Sequence, residues 1–269
     1  MKGVMENIKF ETLTLIGYGV SSFMMVMIPI VLLLVWRKKK HAPFKPAIVG
    51  AITFAVFAIG LESIPTYLLL MTNTKLAYTI NNSVWLQYII GGLLAGIFEE
   101  TGRFIAYKYI LKSHTGKETA ISYGIGHGGF ESIYIGLLMA SYVIMGIIVN
   151  SGNIAMITNG LDDAQLMIAL EQLKAYSSQS FGASMLGVIE RISTIAFHIA
   201  MSIIVFRSAQ SRKYIILFPL AIFLHALLDF SIVFYAIGFV SAIVFEFLLL
   251  AVAAATCFFT YKLVYRRLN

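Results

Sequence analysis

Three short motifs and one isolated histidine place ionisable side chains inside stretches that are otherwise apolar. Glu99, Glu100 and Arg103 stand in "EETGR", His127 and Glu131 in "HGGFE", and His225 and Asp229 in "HALLD"; His198 stands alone in a fourth run. Imidazole nitrogen and carboxylate oxygen are the donors that suit zinc with one position left open for water. A glutamate beside that water is the natural acceptor of its proton, leaving hydroxide to attack a carbonyl. Glu99/Arg103, His127/Glu131 and His225/Asp229 are each four residues apart, so in a helix each pair shares one face. A carboxylate beside an imidazole can also fix its tautomer. Taken singly, any of these histidines is better explained as a polar residue bonded between helices. Taken together, three imidazoles with four carboxylates exceed what such bonding needs. Cys257 and Ser132 have no comparable companions, so no thiol or hydroxyl nucleophile competes.

The elements that must position these groups are membrane spans. Of 269 residues, 59% are hydrophobic and only 12% charged, against about 25% charged in soluble domains. The apolar runs are about 20 residues or longer, which selects spanning helices over barrel strands. An all-α polytopic fold follows, with seven helices predicted at 12–36, 46–70, 85–107, 119–149, 181–206, 214–236 and 238–262. The last two meet at a tight turn near Gly238. The chain reads as a single integral membrane domain, 1–269, with a motif-bearing core at 85–236. The lone cysteine excludes an intrachain disulfide framework. Residues 1–11 carry Glu6 and Glu11 and lack a basic n-region, so no cleaved signal is expected.

Most of the 20 lysines and arginines cluster at 37–45, 108–118, 207–213 and 262–269. The other side holds Lys2, Lys9, Lys75 and Lys174. The positive-inside bias then places the N-terminus outside and the C-terminus in the cytoplasm. The net charge of +7 is accounted for by topology, and nucleic acid is not an expected partner. Within the external loop 150–180, "DDAQLMIALEQLKAY" is an amphipathic helix with Leu166, Leu170 and Leu173 on one face. Lying on the membrane surface is its simpler reading, a lid or docking element the sharper one.

Depth makes the set coherent. Counted at the helical rise, Glu99, His127 and His198 each lie roughly 12 Å from the inner ends of their helices, and His225 about 16 Å. Four helices thus bring a carboxylate or imidazole to one layer of the inner leaflet, where each charge costs at least about 2.5–3.5 kcal/mol on insertion scales. Glu62, Glu190, Arg191 and Glu246 map to the outer half. Gly124, Gly126, Gly128, Gly129 and Gly136 allow either close approach of a neighbouring backbone or room for water and an extended peptide.

"EETGR", "YGIGH" and "HALLD", in that order on successive spans, resemble the EExxxR, FxxxH and HxxxN motifs of the CAAX-protease and bacteriocin-processing superfamily. With "GHGGFE" the chain is most similar to the YhfC branch, near the PrsW proteases. The resemblance covers about 140 residues, helices three to six. It implies Glu99 as catalytic glutamate, Glu100 as its partner, Arg103 as orienting base, His127 and His225 as metal or water ligands, and Asp229 in the position of the family's asparagine. Arg103 stands one residue closer to the glutamates than in the CAAX type, and Tyr123 replaces phenylalanine. His198 and Glu131 are additions that could complete a metal site.

The expected function is therefore an intramembrane metalloprotease of the bacterial plasma membrane. It would cleave a membrane-associated polypeptide with a Glu99-activated water and a zinc or other divalent ion held by His127, His225, His198 and Glu131. A proton-coupled transporter and a non-enzymatic scaffold are the alternatives. Paired broken helices would favour the transporter, and no such symmetry is visible.

Overall fold

The computed structural model describes residues 8–268. Lys2 and Glu6, which entered the topology and signal arguments, lie outside them. The described residues form helices and connecting turns without strands. In chain order these are α1 (Thr12–Lys40), α2 (Lys45–Phe54, continuing to Met71), α3 (Lys75–Asn81), α4 (Val84–Ile105, continuing to Ile110), α5 (Glu118–Asn150), α6 (Asp163–Ser177), α7 (Phe181–Gln210), α8 (Leu217–Phe230), α9 (Ile232–Ala236) and α10 (Ala242–Leu263). Six helical stretches are long and apolar enough to cross a membrane: α1, α2, α5, α7, residues 212–236 and residues 242–267. The helix predicted at 85–107 is present as α4 but is not among those six, its Glu99, Glu100 and Arg103 lowering its apolarity. Gly238 turns the chain between α9 and α10 at φ +74°, in the left-handed region that glycine enters without a side-chain clash.

The described residues pack as two compact units, one running to residue 27 and including 132–191, the other of 28–131 and the described residues from 192 onward. In the first, the Asn150 side chain accepts from the Phe10 amide at 2.9 Å and donates to its carbonyl at 2.8 Å. This clamps the chain just before α1 against the end of α5. A reciprocal Asp162–Gln165 capping box starts α6. Leu170 and Leu173 are buried with Ile8, Phe10, Tyr18 and Val149, and Leu166 packs on the same cluster. The apolar face of α6 is therefore spent on protein, and the surface-lying helix expected from the sequence is corrected accordingly. Tyr18 Oη donates to the Tyr176 carbonyl at 2.9 Å, tying α1 to the end of α6.

The second unit holds all three motifs. Its helices meet backbone to backbone at glycines. A Cβ on Gly126 would lie 1.9 Å from the Ala47 carbonyl oxygen of α2, and one on Gly124 would lie 2.6 Å from Ile199 Cα of α7. Gly96 faces the Ile222 carbonyl of α8 in the same way, at 2.7 Å. Close approach wins over an open slot beside the histidines, because the neighbouring main chain fills the space. The surface is inverted relative to a soluble protein. Phe223, Phe247, Leu248, Phe258 and Phe259 are exposed, while Glu99, Glu100, Arg103, His127, His198 and His225 are buried. That is the arrangement lipid requires, with polar groups satisfied internally.

Two helices widen locally. Residues 55–61 and 67–71 of α2 and 106–110 after α4 are π-helical, with Glu62 N donating to Phe57 O at 2.9 Å and Leu111 N to Ala106 O at 2.8 Å. Pro65 lies between the two wide stretches of α2; it has no N–H to donate and its ring needs space in the preceding turn.

Gly126→Ala should lower thermal stability in detergent by about 1–3 kcal/mol through overpacking. Gly91→Ala, where nothing lies within 4 Å, should leave the melt unchanged or raise it slightly. Equal melting of the two variants would show that the contact between α5 and α2 is not this close.

Candidate functional site

Adjacent residues point about 100° apart around a helix, so Glu99 and Glu100 of α4 meet different neighbours. Glu99 Oε2 lies 2.8 Å from His127 Nε2 of α5. Glu100 Oε1 lies 2.7 Å from His225 Nδ1 of α8. A third couple joins α7 to α5, with His198 Nε2 2.9 Å from Glu131 Oε2. Each imidazole is thus paired with a glutamate from another helix.

Arg103 links these couples. Its Nε is 3.5 Å from Glu100 Oε2. One terminal nitrogen donates to His198 Nδ1 at 3.1 Å and the other to the His198 carbonyl at 3.2 Å. The side chain is completely buried, as is Glu100. Its guanidinium also lies 6.0 Å from the Tyr123 ring centre. Desolvated charges of this kind are tolerable only when paired and hydrogen-bonded, and Arg103 meets that requirement on two helices.

The contacts fix where protons go. Arginine only donates, so His198 Nδ1 must accept, and its Nε2 carries the proton given to Glu131. His127 Nδ1 is buried with no hydrogen-bond partner among the described residues. A proton there would be stranded and would turn the Nε2 lone pair against Glu99, so the proton belongs on Nε2. His225 differs. Its Nδ1–H is satisfied by Glu100, yet Nε2 faces Asp229 Oδ2 at 3.5 Å and Glu99 Oε2 at 3.9 Å. An imidazole with a carboxylate at each nitrogen needs a proton or a metal ion between Nε2 and the carboxylates it faces.

That asymmetry is the test of whether a metal fits. Glu99, His198 and His225 offer one ligand atom each within 4.8 Å of one another, all buried. One carboxylate and two imidazoles suit a zinc-like cation, and Glu100 behind His225 is the carboxylate partner that metal-binding histidines commonly have. The fit is good at His225 and Glu99. His198 joins only by giving up its Nε2 proton or turning its ring away from Arg103.

Every residue singled out from the sequence is in this neighbourhood: Glu99, Glu100, Arg103, His127, Glu131, His198, His225 and Asp229. Groups that share a helix face also find partners on other helices: His127 bonds Glu99 of α4, Arg103 meets Glu100 and His198, and His225 and Asp229 keep an i,i+4 contact. Glu62 of α2, which depth alone left outside the set, is an electrostatic neighbour of Glu99, Asp229 and His225. Gly60 and Pro65, five residues apart in "GLESIP", are the sequence signal that α2 departs from regular geometry there.

Residues 24–250 match the family model described as YhfC intramembrane metalloprotease. The chain is 35% identical over 234 residues to the uncharacterized membrane protein YhfC of Bacillus subtilis (strain 168), covering 86% of this chain and 89% of that protein. No solved structure matches.

Arg103→Met should destabilise the folded protein by about 3–5 kcal/mol, because Glu100 loses its cation in a desolvated site. Arg103→Lys should recover only part of that loss, since one ammonium lacks the planar fork that spans Glu100 and His198. Thermal melts of the detergent-solubilised variants measure both effects, and wild-type stability in Arg103→Met would remove Arg103 from its linking role.

Proposed function

The chain belongs to the YhfC intramembrane metalloprotease family, and on that premise we propose that it hydrolyses a peptide bond of a membrane-associated polypeptide within the bilayer. The observation that carries the proposal is the Glu99–His127 couple at 2.8 Å, set beside a His225 nitrogen that faces carboxylates. This concentration of buried, mutually oriented acids and imidazoles is more than tying the helices together needs, and it suits hydrolysis.

In this reading Glu99 takes the proton of the attacking water. His127, donating through Nε2, holds the Glu99 carboxylate in one orientation, so no reorganisation is required as the proton arrives. Glu100 and Arg103 hold the His225 ring in place. Asp229, 3.5 Å from His225 Nε2, keeps positive charge on that side of the ring, where a developing oxyanion is stabilised. Glu99, His198 and His225 are the residues that would hold a divalent metal, with zinc favoured by imidazole and carboxylate donors. Bound there, such an ion lowers the pKa of water and polarises a carbonyl. Arg103 would keep His198 oriented through Nδ1 while the Nε2 that now faces Glu131 is turned over to the ion. Protonated Glu99 then returns its proton to the leaving amine.

The positive-inside bias of the basic loops supports an outside N-terminus and a site in the cytoplasmic half of a bacterial plasma membrane, with water reaching it from the inner face. The surrounding lipid is the one partner every span requires.

Two variants in reconstituted protein test the reading. Glu99→Gln is isosteric but cannot accept the proton, and should reduce cleavage of membrane-associated peptides by about 10²–10⁴-fold with the melt little changed. His225→Ala should lower both cleavage and bound metal. The substrate is found by comparing membrane peptides of cells that carry wild-type protein or Glu99→Gln. Identical peptide profiles, or full cleavage by Glu99→Gln, would overturn the assignment.

A further inference from the structure

Away from the Glu99 site, α7, α8 and α10 enclose an apolar groove of about 560 Å³. Leu220, Leu224, Val252 and Phe259 line its walls, and Arg207, Tyr214 and Arg267 stand among the same lining residues. Their positions in the chain give the groove a direction. Arg207 precedes the end of α7, Tyr214 precedes the start of α8, and Arg267 follows α10, so the cations are gathered where three helices terminate. From Tyr214 to Leu224 is ten residues, about 15 Å of helix. That is about half of the 30 Å hydrocarbon thickness, the depth of one leaflet.

The polar end carries charge of one sign. The Arg207 guanidinium lies 4.0 Å over the Tyr214 ring and the Lys213 ammonium 5.7 Å from it. Arg207, Lys213 and Arg267 are the charged groups that act on Tyr214. Among the described residues, none of these three cations forms an ion pair with a carboxylate. On its other side Arg207 borders a second cavity of about 630 Å³, lined by Lys108, Lys112 and His114. One arginine is therefore shared by an apolar slot one leaflet deep and a basic cavity.

From this we propose that the groove is a binding site for an anionic phospholipid, with an acyl chain between α8 and α10, the phosphate against Arg207 and Arg267, and the remaining headgroup reaching toward Lys108 and Lys112. Basic pockets between spans at the cytoplasmic face suit anionic headgroups, and the largely apolar walls accept a chain, the Thr256 hydroxyl among them being already bonded to the Val252 carbonyl. A zwitterionic lipid fills the slot equally well and gains nothing from the unpaired cations. Free phosphate meets the cations and leaves the slot empty. The site is independent of the proteolytic reading. Leu224 immediately precedes His225, so its occupant bears on the helix that carries that histidine.

Native mass spectrometry of delipidated, full-length protein tests this. Phosphatidylglycerol, phosphatidylcholine and inorganic phosphate are titrated separately into wild type, the double variant Arg207→Ala/Arg267→Ala, and Ala255→Trp, which places a ring in the groove. Thermal melts confirm that each variant is folded. Wild type should retain phosphatidylglycerol at least about tenfold more strongly than phosphatidylcholine. The double variant should lose the preference, Ala255→Trp should lose retention of both lipids, and phosphate should not displace the lipid. Equal retention of the two lipids, unchanged preference in the double variant, displacement by phosphate, or a polypeptide retained in place of lipid would each overturn the proposal.

Discussion

Arg103 carries a permanent charge in a place with no water to solvate it, and the arrangement of the site follows from satisfying it. Its contacts run to Glu100 on its own helix and to both the ring and the carbonyl of His198. Glu100 in turn fixes His225, and His198 passes its one proton to Glu131. A low-dielectric interior makes each of these bonds strong when formed and each unpaired group costly. The helices cannot shift independently without breaking a couple, so the polar layer specifies their register where lipid-facing leucines and phenylalanines cannot.

The close helix contacts serve the same end. Hydrogen bonds of 2.7–2.9 Å between side chains as short as glutamate and histidine require backbones nearer than larger residues allow. Gly124 on α5 provides that approach toward α7 and Gly96 on α4 toward α8, at about 1 kcal/mol of helix propensity each. Glycine near the chemistry therefore acts by permitting contact. The wide turns around Pro65 bring Glu62 into electrostatic range of the same group.

Much of this was legible before any coordinates. Helix positions followed from apolar runs long enough to span, and the observed bounds of α1, α4, α5, α7 and α10 lie close to those predicted. The convergence of Glu99, His127, His198 and His225 followed from depth, because a costly residue in lipid has to face another. What the sequence could not supply was the choice of partner. An i,i+4 spacing says that two groups share a face, but it is silent on whether a neighbouring helix brings a better acceptor; His127 and Glu131 share a face and bond different helices. The burial of the α6 leucines was illegible for a related reason. Amphipathicity identifies an apolar face without saying whether lipid or Phe10 and Tyr18 will cover it. Depth counting also assumes a regular rise, which the π-helical stretches of α2 break.

The central claim is that carboxylates and imidazoles on different spans are coupled in pairs, and a double-mutant cycle across α4 and α8 tests it most directly. Stabilities of wild type, Glu100→Gln, His225→Asn and the double variant are measured by unfolding in one detergent. A contact at 2.7 Å between buried groups predicts that the two single losses fail to add, with a coupling energy of about 1–3 kcal/mol. Additivity within about 0.5 kcal/mol would mean that Glu100 and His225 do not touch, and the site as described here would not exist.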